Sequence, residues 1–423
     1  MRQAGRVAAA IEIITEIFGR NRPASEALRD WGKAHRFAGS TDRHVIGTLV
    51  YDCLRNKNAS AARADDDAPR SLVLGTLAEV WKLTTPEIDT LCTEQFGAGA
   101  LSAAERKALN APQAHLAAHI TGNFPKWLTP QLQEAFGEDL VLQMQALAQR
   151  APIDLRVNTL KTTRDELLQT FAKFGAAATP ISPTGIRIAA AGIEARNINV
   201  EAEPAHGQGY FEVQDEASQV ASRIAAPKPG QSVLDLCAGA GGKSLALAAI
   251  LKNQGQLVAY DRDKHRLRPI FERITRAGAT CIEVVAADEQ QKITRSDGYD
   301  LVVVDAPCTG SGTWRRKPDA KWRLGEKQLQ VRLNEQASVL AQAAPLVKRG
   351  GKLAYFTCSI LPAENQVQAQ KFLGVNPNFK IVPFKEQWAG APASVNASRD
   401  MLQLTPHTHA TDGFFVAVMQ RNS

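Results

Sequence analysis

Two short turns in the last third of the chain, Asp305-Ala306-Pro307-Cys308-Thr309-Gly310 and Tyr355-Phe356-Thr357-Cys358-Ser359, put thiols where chemistry can happen. Each follows a run that reads as a buried strand, Leu301-Val302-Val303-Val304 and Lys352-Leu353-Ala354-Tyr355-Phe356. In an open parallel sheet such strand ends are where ligands bind. A cysteine picked blindly is most often a small buried hydrophobe, and Cys53, Cys92 and Cys281 read that way. Cys308 and Cys358 instead sit among small polar neighbours that apolar burial does not select. A thiol with a pKa of about 8.5 is mostly protonated at neutral pH, so a catalytic one needs a helix start or a cation. Lys243 is the candidate cation, and the pair of thiols points to covalent chemistry on an electrophilic ring.

The segment Val233-Leu234-Asp235-Leu236-Cys237-Ala238-Gly239-Ala240-Gly241-Gly242-Lys243-Ser244 reads as a strand, a glycine-rich turn and a helix start. Free N–H groups at such a start receive a carboxylate or a phosphate. A P-loop needs glycine where Cys237 stands, and a dinucleotide fingerprint needs its third glycine where Ser244 stands. What remains, Asp-x-Cys-x-Gly-x-Gly, is close to the acidic-then-glycine loop of S-adenosylmethionine enzymes. The next strand ends in Asp261, 26 residues after Asp235, a distance at which one βα unit sets a carboxylate on a ribose diol. Asp288 closes the third strand, where an acid can meet an adenine edge. With a methyl sulfonium nearby, thiolate addition at pyrimidine C6 makes C5 enamine-like and able to take the methyl group. Product release then requires removal of the C5 proton and expulsion of the thiolate, for which a second thiol is a base or assistant.

These residues need a scaffold, and the chain supplies a recognisable one. After the Pro227-Lys228-Pro229-Gly230 turn, apolar runs predict strands at 233–237, 256–261, 282–287, 299–305, 350–357, 379–384 and 413–419. Helical periodicity falls near 243–252, 263–277 and 326–348, so residues 226–423 read as a doubly wound, Rossmann-like α/β sheet. Residues 124–225 begin with a helix through Leu132 and Phe136, then mix strands at 154–158, 179–181 and 186–189 with a helix at 163–174, a small α+β module. Residues 1–123 are helical, with Val7, Ile11, Ile14, Ile17 and Phe18 at helix spacing and further helices over 25–34 and 41–54. Ser40 or Thr41 is the expected cap of the last of these, and 56–69 reads as a polar loop.

The loop Cys237–Lys243, the D-A-P-C-x-G-x-G run at 305–312, the T-C-S run at 357–359 with Ala363-Glu364-Asn365 after it, and Phe211-Glu212-Val213-Gln214-Asp215-Glu216-Ala217-Ser218 together resemble the Sun family of RNA cytosine-C5 methyltransferases. The resemblance covers roughly residues 124–420. It implies a class I methyltransferase sheet, S-adenosylmethionine as cofactor, Cys358 as nucleophile and Cys308 as the residue that assists release. The order of the two cysteines comes from the resemblance, since DNA cytosine methyltransferases use a Pro-Cys cysteine as nucleophile. It further assigns Cys237, Ala238, Gly239, Ala240, Gly241, Gly242, Lys243, Asp261, Asp288 and Asp305 to the cofactor site, with Asp305 and Lys243 bordering the target base. Arg156 and Asn158 match a motif in the accessory module and imply RNA contact. Ala240 and Ser244 stand where the family usually has Pro and Thr, which implies a more flexible loop. The N-terminal helices, through Ser40-Thr41-Asp42-Arg43-His44 and Leu49-Val50-Tyr51-Asp52-Cys53-Leu54-Arg55, resemble the NusB-like domain of the bacterial 16S ribosomal RNA methyltransferase B branch, shifting the expected substrate from transfer RNA toward ribosomal RNA.

Composition agrees with that class. With 423 residues the chain needs two or three domains, and 50 Lys and Arg against 43 Asp and Glu give +7, which suits a polyanionic partner. Six cysteines without a C-x-x-C pair argue against zinc and a disulfide framework, so no metal and a reducing, cytoplasmic setting are expected. The basic start is followed by a helix carrying Glu12 and Glu16, unlike an export signal, and no run approaches a membrane span. His407 and His409 have no third ligand nearby. In Trp314-Arg315-Arg316-Lys317-Pro318-Asp319-Ala320-Lys321-Trp322-Arg323, cations suit phosphates, and the tryptophans either stack on bases or plug the core. Arg315, Arg316, Lys317 and Lys321 are the expected RNA contacts, and a monomer is the expected state. The alternatives to a ribosomal RNA methyltransferase are a transfer RNA enzyme and a non-catalytic assembly factor.

Overall fold

A computed structural model describes residues 1–113, 115–192, 198–388, 390–395 and 400–422. Two compact units emerge, one of residues 1–150, 191–196 and 314–324, the other of 151–190, 197–313 and 325–423. The chain therefore groups 124–150 and the Trp314 segment with the N-terminal helices, a division the linear pattern did not display.

The first unit is helical. Gln3–Gly19, Ala24–Ala34, Ser40–Arg55, Pro69–Glu79 and Thr85–Thr93 bury Val7, Ile14, Leu49, Cys53, Leu72, Leu77 and Ile88 in one core. Two local expectations change. The cap of Ser40–Arg55 is Gly39, whose N–H donates to Asp42 Oδ2 at 3.1 Å, rather than Ser40 or Thr41. The segment 56–69 is not a plain loop, because Lys57–Ala64 is a helix. Its polar composition masks good helix-forming alanines, and packing completes the element: Ser60 is fully buried, its hydroxyl 2.9 Å from that of Thr76. A Cβ at Gly75 would lie 2.0 Å from the Ser60 carbonyl oxygen, so glycine permits the close approach.

The second unit holds two sheets. β1 (Ile153–Val157), β2 (Ala177–Ala178), β3 (Gly185–Ile188) and β4 (Phe211–Val213) form an antiparallel sheet in the order β2-β3-β1-β4. The helix Arg164–Phe171 packs there, capped by Thr163, with Leu167 and Phe171 in its core. The larger sheet contains β5 (Ser232–Asp235), β6 (Gln256–Tyr260), β7 (Ile282–Val285), β8 (Tyr299–Asp305), β9 (Val347–Thr357), β10 (Phe379–Ile381), β11 (Leu402–Leu404) and β12 (Phe414–Arg421). Its order is β10-β12-β9-β8-β5-β6-β7, with β11 pairing β12. β5 to β9 are parallel, whereas β12 runs antiparallel to β9 and β10.

The buried strands show why the apolar runs are continuous. Leu301 and Val303 of β8 face one core while Val302 and Val304 face the other, so both sheet faces exclude water. The chain runs outward from β5 through β6 to β7, returns to β8 on the other side of β5, and continues to β9. The β5–β8 boundary is thus a topological switch point, where the connections at the carboxyl ends diverge and leave a crevice. Among the described residues no helix is long and apolar enough to cross a membrane.

Candidate active site

The crevice is a cavity of about 530 Å³ whose lining includes Cys237, Asp261, Asp305, Cys308 and Cys358, a size suited to a small-molecule ligand. The strand ends bring these residues together: Asp235 ends β5, Asp261 follows β6, Asp305 ends β8, Cys308 lies three residues beyond it, and Cys358 immediately follows β9. The two sulfurs, 50 residues apart in sequence, are 3.4 Å apart. The bond to Cys358 and burial both push the Cys308 thiol up. Burial likewise pushes Cys53 up to about 12, leaving it an inert core thiol.

A buried carboxylate absent from the expected set fixes this pair. Glu364 is fully buried and receives four donors: Thr309 N–H at 2.8 Å and Gln336 Nε2 at 2.9 Å on one oxygen, the Thr309 and Ser359 hydroxyls on the other. Thr309 follows Cys308 and Ser359 follows Cys358, so one carboxylate locks both cysteine turns. Gly312 N–H donates to the Cys358 carbonyl at 3.0 Å, and Gly413 N–H donates to the Gly312 carbonyl at 2.8 Å. The sequence carries one signal for this hub. Gln336 shares the buried face of Glu326–Ala343 with Leu329 and Leu340, a polar residue in an apolar stripe.

The glycine loop is built for a ligand. Gly241 has φ of +83°, and a Cβ there would lie 2.4 Å from Ile270 Cγ1, so this position needs glycine both for its backbone and for its space. The helix Gly242–Ile250 starts immediately after it. Asp261, almost fully buried, accepts Gly239 N–H and Asp263 N–H at 2.9 Å each, which holds the loop against the second strand end. Asp235 Oδ2 accepts the Ser244 hydroxyl at 2.7 Å, while its buried Oδ1 has no partner. Burial raises Asp235 to about 7. Cys237, Asp261 and Asp263 line the cavity, and the glycine turn and the orphaned acceptor of Asp235 lie beside them at the ends of the same strands, a set that fits an adenosyl cofactor carrying an amino-acid group.

Other expected residues are placed differently. Lys243 does not pair with a thiol: its ammonium donates to Asp305 at 3.0 Å and to Ser218 at 2.8 Å and lies over the rings of Phe414 and Phe356. Asp288 sits in the turn Ala287–Ile293, exposed and outside the cavity lining. Asn158 is buried and spent on the backbone, donating to the Gly209 and Ala277 carbonyls at 2.8 Å each, so it is a clamp rather than an exposed RNA contact. Lys321 is also interior, 1% exposed, donating to the Arg55 carbonyl at 3.1 Å. Trp314 is fully buried and Trp322 Nε1 donates to the Leu54 carbonyl, so both tryptophans serve the helical unit, and Arg315 is buried with them. Arg316 is half-buried and Lys317 exposed. No cluster of metal-binding side chains occurs among the described residues, and His409 Nδ1 accepts the Thr405 N–H.

The family model described as 16S rRNA methyltransferase RsmB/F matches residues 222–420, and the ferredoxin-like domain model of the same group matches 124–194. A Synechocystis protein named "Probable ribosomal RNA small subunit methyltransferase B" is 32% identical over 305 residues, covering 71% of this chain and 67% of its own. The ribosomal RNA small subunit methyltransferase B of Vibrio cholerae is 32% identical over 314 residues, 73% of this chain and 68% of its own. The matched stretch thus spans about two-thirds of these relatives. The crystal structure of PH0851 superposes with a TM-score of 0.75 at 27% identity, covering 100% of this chain and 99% of that one. The chain therefore belongs to the 16S rRNA methyltransferase RsmB/F family and is an RNA methyltransferase with S-adenosylmethionine as its cofactor.

Proposed function

We propose that this protein methylates C5 of a cytosine in small-subunit ribosomal RNA through a covalent adduct on Cys358. The observation that carries the reading is the 3.4 Å pair of sulfurs in the cavity that also holds Asp261 and Asp305. Asp235, the backbone of 237–243 and Asp261 hold the cofactor, which supplies an electrophilic methyl group when bound. The Cys358 thiolate adds to C6 and pushes electron density onto C5, the atom that takes the methyl. Asp305, held by Lys243, faces the cavity one-third exposed and orients the base. Restoring the ring requires loss of the C5 proton and cleavage of the C6–sulfur bond. Cys308 relays that proton: it protonates the departing Cys358 sulfur and takes the C5 proton in exchange. Its raised thiol pKa makes the Cys308 thiolate, once formed, the stronger base and so suits the half of this relay that takes the C5 proton. Residues 1–123 act as a NusB-like RNA-binding domain and 124–225 as an accessory RNA-recognition module.

The test is transfer of tritiated methyl groups from S-adenosylmethionine to unmodified small-subunit ribosomal RNA, with transfer RNA in parallel. Cys358→Ala abolishes incorporation, and Cys308→Ala accumulates a protein–RNA adduct visible on a denaturing gel. Label surviving Cys358→Ala removes the nucleophile assignment, and label on transfer RNA alone moves the substrate. Bisulfite sequencing of the product identifies the cytosine.

A further inference from the structure

Apart from the catalytic crevice, the second unit has a smaller cavity of about 230 Å³. It opens between the end of β1, the loop around Ser182, and the helices Glu216–Ala225 and Gly242–Ile250. Its lining includes Arg156, Arg223, Lys252, Ser182 and Thr184, and contains no carboxylate. Arg223 and Lys252 are exposed at the rim, whereas Arg156 is 6% exposed.

The state of Arg156 is the unusual feature. Its buried Nε has no partner, and its guanidinium donates no hydrogen bond among the described residues. The carboxylate opposite it on β4 is Glu212, the Cα partner of Arg156 across the strands. Glu212 is already committed, receiving Arg273 Nε and Nη2 at 3.1 and 2.7 Å on one oxygen and Arg276 Nη2 at 2.7 Å on the other. Three guanidinium groups thus share one carboxylate, and the one left without a hydrogen bond faces the cavity. A buried guanidinium with five donors and no acceptor is costly unless an anion completes it.

We infer that this cavity is an anion site that takes one backbone phosphate of the substrate RNA, with Arg156 as its floor and Arg223 and Lys252 as its rim. A phosphodiester offers the acceptors that Arg156 lacks, and the Ser182 and Thr184 hydroxyls suit its remaining oxygens. This role for the site rests on the RNA reading above and adds to it a positioning contact away from the thiols.

The test compares the full-length protein with Arg223→Ala/Lys252→Ala and, separately, Arg156→Met, by RNA affinity across a salt series, by thermal unfolding in inorganic phosphate against chloride at equal ionic strength, and by methyl transfer. The rim variant alters exposed residues and leaves the melting temperature in chloride unchanged. It is expected to bind RNA about tenfold more weakly or worse, with a salt dependence shallower by about 0.7 for each phosphate no longer neutralised. Arg156→Met is expected to lose the phosphate-induced rise in melting temperature. RNA affinity and salt dependence equal to wild type in both variants, while wild type methylates RNA, overturns the site and leaves the functional reading standing. Phosphate stabilisation lost in Arg156→Met with RNA binding untouched in both also overturns it, because the occupant is then a free anion. Failure of wild type to methylate RNA is the separate outcome that removes the functional reading itself.

Discussion

Replacing Glu364 by alanine tests whether one buried carboxylate holds the two thiols in register. Four hydrogen bonds disappear. The Thr309 N–H loses its acceptor and, being backbone, cannot turn toward another; a stranded buried donor costs about 1–3 kcal/mol. Gln336 retains its bond to the Pro307 carbonyl at 3.0 Å, and the Ser359 hydroxyl retains Ser311 at 2.9 Å. The other three hydrogen bonds therefore count at the ordinary net value of about 0.5–1.5 kcal/mol each. The sum is roughly 3–7 kcal/mol, a large share of the 5–15 kcal/mol that typically separates folded from unfolded domains. Because both freed turns carry the sulfurs proposed to react, turnover should fall at least about 100-fold, the scale expected for a misplacement of about 1 Å. Glu364→Gln keeps a carbonyl for the two N–H donors and offers an amide that the Thr309 and Ser359 hydroxyls can rotate to accept. It should retain turnover within about tenfold. Methyl transfer and thermal unfolding on wild type, Ala and Gln variants, with cofactor affinity as a control, make the measurement. An alanine variant with wild-type turnover and melting temperature, or a glutamine variant as damaged as alanine, refutes the reasoning.

Three further outcomes follow from the same geometry. A Cβ on Gly312 would lie 2.0 Å from the Gly413 carbonyl oxygen, so Gly312→Ala should disrupt the packing under the Cys358 turn and lower both melting temperature and turnover, whereas Gly374→Ala, where a Cβ meets nothing, should not. In the Lys243–Asp305 pair the lysine side chain is 7% exposed and the aspartate 32%. Removing the acid leaves the buried ammonium with Ser218 and two ring faces but no counter-charge, so Asp305→Ala should destabilise by about 2 kcal/mol and Lys243→Met by about 1 kcal/mol, and a larger loss in the methionine variant on chemical denaturation would contradict this. Asp235 is raised from 3.8 to about 7, so between those values the native state binds a proton that the unfolded chain does not. Its contribution is therefore fully present below about pH 4, falls as pH rises toward 7 and is level above, a change on the order of 4 kcal/mol. Asp235→Asn should flatten that part of the stability curve, and parallel curves for the two proteins would count against it.

Much of the catalytic half is legible because its elements follow local rules. Continuous apolar runs such as 301–304 announce strands buried on both faces, and the glycine loop announces itself through the backbone it needs. The short pieces were harder to see: β4, with three residues, and β11, whose pairing with β12 lies outside any local pattern. Polarity misled in both directions. By composition Lys57–Ala64 reads as a loop and Arg315 and Lys321 read as cations for RNA, because composition does not reveal which polar groups are taken inside.

Residue types and spacing by themselves determined the class of chemistry: two thiols and an acidic glycine loop at strand ends, within an alternating βα chain. Only the tertiary structure decided how those parts act together. The 3.4 Å separation of the sulfurs, the Glu364 hub and the Lys243–Asp305 pair each join residues on different strands, helices or turns, and the unpartnered state of Arg156 likewise depends on what the fold places around it. The strand order and the need to satisfy buried charge set these meetings, and neither is written in any local stretch of the chain.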